Sequence, residues 1–137
     1  MDKITIVTVT FNCRDIIEKT IKSVLSQDYS NIEYIIIDGN SNDGTKEVIN
    51  RYIDRIDTFV SEPDKGIYDA MNKGLERATG DWVFFLNSGD IFCDNEVLSK
   101  VATHFKKETD VVWGNVKAIR NNQIIAIEYH TPFFKNN

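Results

Sequence analysis

Residues 32–45 read Ile32-Glu33-Tyr34-Ile35-Ile36-Ile37-Asp38-Gly39-Asn40-Ser41-Asn42-Asp43-Gly44-Thr45: an apolar, β-branched run that stops at a carboxylate and breaks into turn residues. The run reads as a buried strand, and Gly39 to Gly44 as a turn in which Asn42 or Asp43 can cap a following helix. That helix carries Val48, Ile49, Tyr52 and Ile53 on one face. Upstream, Ile4-Thr5-Ile6-Val7-Thr8-Val9 is a second strand, and Ile17, Ile21, Val24 and Leu25 recur at the spacing of a helix face. Downstream come a short strand, Thr58-Phe59-Val60, and a helical pattern of Ile67, Ala70, Met71, Gly74, Leu75 and Ala78 ended by a Gly80 C-cap. Trp82-Val83-Phe84-Phe85-Leu86 is a strand again, and Val97, Leu98, Val101, Ala102 and Phe105 form a further helix. Asp110 to Ala118 and Gln123 to Tyr129 flank Asn121-Asn122 as a late hairpin with no evident partner.

Strands alternating with helices predict an α/β fold: a mostly parallel sheet in the order 3-2-1-4, helices on both faces, and the antiparallel hairpin last. The chain of 137 residues is 42% apolar and 27% charged, an ordinary balance for one folded domain. Its net charge of −5 argues against a nucleic-acid partner gripped by a basic face. No apolar run approaches the roughly 18 residues of a membrane span. Cys13 and Cys93 lie far apart and match no metal spacing, which suits a reducing, cytoplasmic setting. The chain stops at Phe134-Lys135-Asn136-Asn137 without a closing helix. The expectation is therefore one domain over residues 1–137, cut short at its C-terminus.

Ligands of open parallel sheets bind beyond the carboxyl ends of the strands. Those ends carry Thr10-Phe11-Asn12, Asp38-Gly39-Asn40-Ser41, Glu62-Pro63-Asp64-Lys65-Gly66 and Asn87-Ser88-Gly89-Asp90. One aspartate at such a place is ordinarily a turn former; polar groups at every end point to a site.

In order and spacing, Val9-Thr10-Phe11-Asn12, Ile37 to Thr45, Asp64-Lys65-Gly66, Asn72-Lys73-Gly74, Ala78 to Asp81 and Leu86 to Asp90 resemble family 2 glycosyltransferases. The resemblance covers residues 4–118 and is nearest to bacterial enzymes of surface-polysaccharide synthesis. It implies the GT-A fold and inverting transfer from a nucleotide-diphosphate sugar, UDP-linked by expectation, to a saccharide or lipid-linked acceptor. It also implies peripheral work at the inner face of the cytoplasmic membrane. By the same resemblance Asp38 accepts from the uracil N3–H or the ribose, and Thr10 and Phe11 line the base. Asp64 and Lys65 reach base, ribose or phosphate; Asn12, Asn40 and Ser88 complete the nucleotide-sugar set; and Asn72 is structural or supports the residues that touch the ligand.

Where relatives carry Asp-x-Asp this chain has Asn87-Ser88-Gly89-Asp90. Asp90 is then the expected ligand of a divalent cation, Mg²⁺ or Mn²⁺, with Asn87 offering a carbonyl oxygen or a ribose contact. The general base is expected beyond residue 137, because Asp94, Glu96, Glu108, Asp110 and Glu128 stand in no base motif and His130 is a lone histidine at a strand end. The alternative is a fragment that binds the nucleotide sugar without transferring it. A receiver domain fails for want of an acidic pair after strand one, and a sugar-phosphate nucleotidyltransferase for want of a Gly-rich basic loop there. A dehydrogenase and a P-loop NTPase fail for want of their glycine motifs.

Overall fold

The structure is a computed structural model that describes residues 1–136, with the backbone alone described over 126–131. Strands β1 (Ile4–Thr10), β2 (Ile32–Asp38), β3 (Thr58–Ser61) and β4 (Trp82–Phe85) alternate with helices α1 (Ile17–Leu25), α2 (Thr45–Asn50) and α3 (Ile67–Arg77). Helix α4 (Val97–Ala102) and strands β5 (Val111–Arg120) and β6 (Gln123–Lys135) follow. The sheet runs β3-β2-β1-β4-β6-β5. The expected parallel order 3-2-1-4 is present, with the antiparallel hairpin added at its edge.

Alternate residues of each strand point to opposite faces, and both faces are apolar. Ile4, Ile6, Tyr34, Ile36, Trp82 and Phe84 pack on one side with Ile17 and Ile21 of α1, Val48 and Ile49 of α2, and Leu98 of α4. Val7, Val9, Ile35, Ile37 and Val83 pack on the other with Ala70 of α3. Helix α3 lies close to β1 because Gly74 has no side chain: a methyl group there would overlap Val7 Cγ1.

Several expectations change at element ends. Helix α2 stops at Asn50, so Ile53 is 41% exposed instead of facing the core, and the Tyr52 hydroxyl donates to Glu18. Phe105 lies past the end of α4 and stacks on Trp82 with ring centroids 4.0 Å apart. Gly80 is no C-cap, since α3 ends at Arg77 with Ala78 as its cap. Instead it permits close approach: its N–H donates to Thr5 Oγ1, and a methyl group would stand 2.8 Å from the Lys3 carbonyl oxygen.

The hairpin also has a partner, contrary to the sequence reading. Asn121 and Asn122 both take positive φ, 51° and 59°, the two-residue geometry that matches strand twist. β6 then continues to Lys135 and pairs antiparallel with β4, Phe134 beside Val83 and Lys135 beside Trp82. Since β5 pairs with β6 from Val111 opposite Phe134, register carries positions 114–131 past the last residue of β4. The hairpin therefore flanks the edge at which the parallel strands end.

Candidate functional site

Register brings the strand ends together: Thr10 lies beside Asp38, and Asp38 beside Ser61. Beyond β4 the chain keeps following β1, with Leu86 N–H donating to the Val7 carbonyl and Ser88 N–H to that of Val9. Thr10, Asp38, Asp64 and the loop 86–90 thus share one edge.

Asp38 is fully buried. Its Oδ1 accepts from the Ser41 hydroxyl; its Oδ2 accepts from Ser41 N–H at 2.9 Å and the Ser61 hydroxyl at 2.6 Å. A carboxylate so enclosed is an organiser of the loop that follows β2 and of its seam with β3. These three bonds hold the Asp38 carboxylate in place at the strand ends. Ser41 and Ser61, absent from the sequence-derived set, are the residues that complete it. The signal was a serine three residues after the aspartate, a spacing at which side chain and backbone can bond locally.

Asn12 is left-handed at φ 49° and stitches two loops together: its N–H donates to Ser41 Oγ at 2.8 Å and its Oδ1 accepts from Asn42 N–H. Asp43 accepts from the Thr45 hydroxyl and N–H and from Arg14 N–H; these bonds, the Thr45 hydroxyl foremost, hold its carboxyl below the usual range. Asn40, at φ 66°, accepts from Lys46. These bonds tie the loops after β1 and β2 to one another.

What they present is mixed in character. Phe11 is 61% exposed beside the edge. Thr10 is buried, yet its hydroxyl oxygen has no hydrogen-bond partner, and the same holds for Asn87 Oδ1. Buried polar atoms are almost always paired, so two orphans at one edge are exceptions to that rule. Asp90 stands at the surface of its loop, where desolvation raises its carboxyl pKa. The Ser88 hydroxyl donates to the Val9 carbonyl, which leaves its oxygen as an acceptor.

Asp64 is half-buried and anchored through Oδ1, which accepts from Gly66 N–H at 2.9 Å. Lys65 and Asn72 are exposed. Lys73, not singled out from sequence, fixes the segment before Asp64 by pairing with Glu62 and donating to the Pro63 carbonyl at 3.0 Å.

The carboxylates considered as a base lie elsewhere. Asp94 and Glu96 pair with Lys100 at the start of α4. The intervening Asn95 carbonyl accepts from Asp28, just ahead of β2, at the opposite edge of the sheet. Asp110 precedes Val111, level with the start of β4, and the exposed Glu108 comes before it. The side chains of Glu128 and His130 lie outside the described residues. Among the described residues no group of three or more His, Cys, Asp and Glu clusters as a metal cage. Neither the hollow lined by Tyr29, Tyr34 and Asp57 nor that lined by Arg14, Glu18 and Arg51 includes Thr10, Phe11, Asp38, Asp64 or Asp90.

Comparison with known proteins places this geometry. The profile described as "Glycosyl transferase family 2" matches residues 5–131. The Escherichia coli UDP-Glc:alpha-D-GlcNAc-diphosphoundecaprenol beta-1,3-glucosyltransferase WfgD is 32% identical over 124 residues, which are 90% of this chain and 49% of that protein. The mannosyltransferase PcManGT from Pyrobaculum calidifontis, solved with GDP-Man and Mn²⁺, superposes with a TM-score of 0.77 at 23% identity over 85% of this chain and 36% of its own. Staphylococcus aureus TarS 1-349, solved with UDP-GlcNAc, gives 0.69 at 24% identity over 74% of this chain and 30% of its own. The likeness to both structures is one of fold, the GT-A glycosyltransferase fold. The chain spans about half the length of the curated relatives it matches.

Proposed function

Because the chain belongs to glycosyl transferase family 2, we propose that its strand-end shelf holds the nucleotide of a UDP-sugar. The whole protein would then pass the sugar to a saccharide or lipid-linked acceptor in polysaccharide biosynthesis. The observation that carries this reading is the unpartnered, buried Thr10 hydroxyl at the end of β1, one residue before the exposed Phe11. A flat heterocycle with polar edges satisfies both, stacking on the ring while one of its edge atoms bonds the hydroxyl. Asn12, Asn40, Asp64 and Lys65 border the same edge, the exposed Lys65 as a cation for phosphate. WfgD, by its name, takes UDP-Glc and acts on a diphosphoundecaprenol-linked sugar, which supports the donor and acceptor classes.

The residues present fit a divalent cation, Mg²⁺ or Mn²⁺. Asp90 supplies an anionic oxygen, and Asn87 a buried carbonyl oxygen that lacks a partner. When bound, the cation neutralises charge on the departing diphosphate. Among the described residues no helix is long and apolar enough to cross a membrane. The lipid-linked substrate of WfgD supports placement in the cytoplasm at the membrane's inner face.

A second reading, donor binding without transfer, is favoured by one observation. The carboxylates Asp94, Glu96 and Asp110 stand at the edge away from the shelf, so none is in reach of an acceptor hydroxyl there. Calorimetric titration of UDP with and without Mn²⁺ tests the donor site. Incubation with UDP-sugars, Mn²⁺ and candidate acceptors, beside a full-length relative, separates the readings. Binding with transfer far below that of the relative supports the second; comparable transfer removes it.

A further inference from the structure

We propose that Thr20 of α1 is a positioning residue for the cation site: its buried hydroxyl fixes the turn on which Asn87 and Asp90 stand. The inference deepens the reading of those two residues as cation ligands and rests on it. Residues 86–96, which carry both, form neither helix nor strand. Their backbone is held in part by polar side chains of Thr20 and Ser23 on α1 and of Gln27 just beyond its end. Gly89 N–H donates to Thr20 Oγ1 at 3.0 Å, and Phe92 N–H to Ser23 Oγ at 3.3 Å. Gln27 donates to the Asp94 carbonyl at 2.7 Å and accepts from Leu98 N–H at 3.1 Å. Only the Thr20 bond falls within the turn itself. Thr20 is fully buried, on the same helix face as Ile17, Ile21 and Val24. A hydroxyl there is costly unless bonded, and valine would fill the same shape without that cost.

The bond falls on the peptide that decides the type of turn. Asp90 N–H donates to the Asn87 carbonyl at 3.0 Å, so residues 87–90 are a β-turn with Ser88 and Gly89 at its centre. Gly89 takes φ 95° and Ser88 does not take a positive φ, which is the type II form. Types I and II keep the same closing bond and differ by roughly a half-turn of the central peptide, here the one between Ser88 and Gly89. A flip would turn the Gly89 N–H away from Thr20. Glycine permits either form and so does not choose between them. Thr20 makes the choice. Asn87 and Asp90 are the first and last residues of this turn, so its type sets how their side chains stand to one another, as outer partners commonly orient metal ligands.

The test measures Mn²⁺ binding in the presence of UDP, and UDP binding without Mn²⁺, by calorimetry on the full chain. Wild type is compared with Thr20→Val, Thr20→Ser, Gly89→Ala and Gln27→Ala, each checked by thermal unfolding. Thr20→Val keeps the shape and loses the acceptor; Gly89→Ala, at an exposed position, makes the positive φ costly from the other side of the bond. Both should weaken Mn²⁺ by roughly ten- to a hundredfold and leave UDP alone at wild-type affinity. Thr20→Ser retains the hydroxyl and should bind Mn²⁺ like wild type. Gln27→Ala should lower the unfolding temperature and keep Mn²⁺ affinity, because its bonds lie beyond the turn. Unchanged Mn²⁺ affinity in folded Thr20→Val or Gly89→Ala, or an equal loss in Gln27→Ala, overturns the positioning role while leaving the cation site standing. Wild type that takes up no Mn²⁺ with UDP present overturns the cation reading and this inference with it.

Discussion

Ser61 Oγ donates to Asp38 Oδ2 at 2.6 Å, which ties the end of β3 to the end of β2 beneath the shelf. Together with the two bonds from Ser41, it makes the buried carboxylate a node of the site's floor. Bonds to a buried charged group are worth about 1.5–3 kcal/mol, and removing the acceptor strands its donors. Asp38→Ala is therefore expected to lose about 3 kcal/mol of stability by urea denaturation, with UDP affinity falling alongside. Full stability in that variant would remove the organising role.

The far edge of the sheet has its own buried carboxylate. Glu33 accepts from the Thr5 hydroxyl and from the Thr79 N–H and hydroxyl, with Lys3 at 3.6 Å. Burial pushes its pKa up, but the bonds from Thr5 and Thr79 outweigh it and hold the carboxyl below the ordinary value. A folded pKa lower than the unfolded one adds stability above the unfolded value, and that stability is lost as pH falls through the folded one. Stability should therefore decline as pH drops below about 4.5, the unperturbed Glu value. Glu33→Gln should be less stable at pH 7 and show a shallower acid decline. Parallel curves for the two proteins would contradict this.

Gly74 tests helix-to-sheet packing. Alanine in a helix is favoured over glycine by about 1 kcal/mol, yet here its methyl would overlap Val7 Cγ1, and overpacking costs about 1–3 kcal/mol. Clash should win, so that Gly74→Ala is destabilised by about 1 kcal/mol. Combining it with Val7→Ala should give a favourable coupling in a double-mutant cycle. A stabilised single variant would show that α3 has room to shift.

The parallel order and the convergence of the strand ends were legible because the apolar runs and their polar terminators are local features. Helix α1 matched its periodicity for the same reason. Two things were not. The last strand reads from the sequence as ending at Tyr129, but β6 runs on through Pro132 to Lys135. Pro132 lies opposite Trp113, while pairing with β4 involves only Phe134 and Lys135. A missing N–H is tolerated where a second neighbour is not bonded. The direction in which the Asp38 oxygens point depends on Ser61, from another strand, and on the seating of β3 against β2. No local pattern encodes that.

The shelf itself is tested most directly by calorimetric titration of UDP, with Mn²⁺ present, into wild type, Thr10→Val and Phe11→Ala. Thr10→Val replaces an unpartnered buried hydroxyl by a methyl of similar shape, so stability should hold or rise. Phe11, being 61% exposed, should cost little stability when removed. The expected result is UDP binding by wild type, weakened about fivefold or more by each variant, since stacking of a base on an aromatic ring is worth roughly 1–3 kcal/mol and a hydrogen bond about 1 kcal/mol. No binding of UDP by wild type, or the same dissociation constant in all three proteins, would contradict the assignment of this edge to the nucleotide.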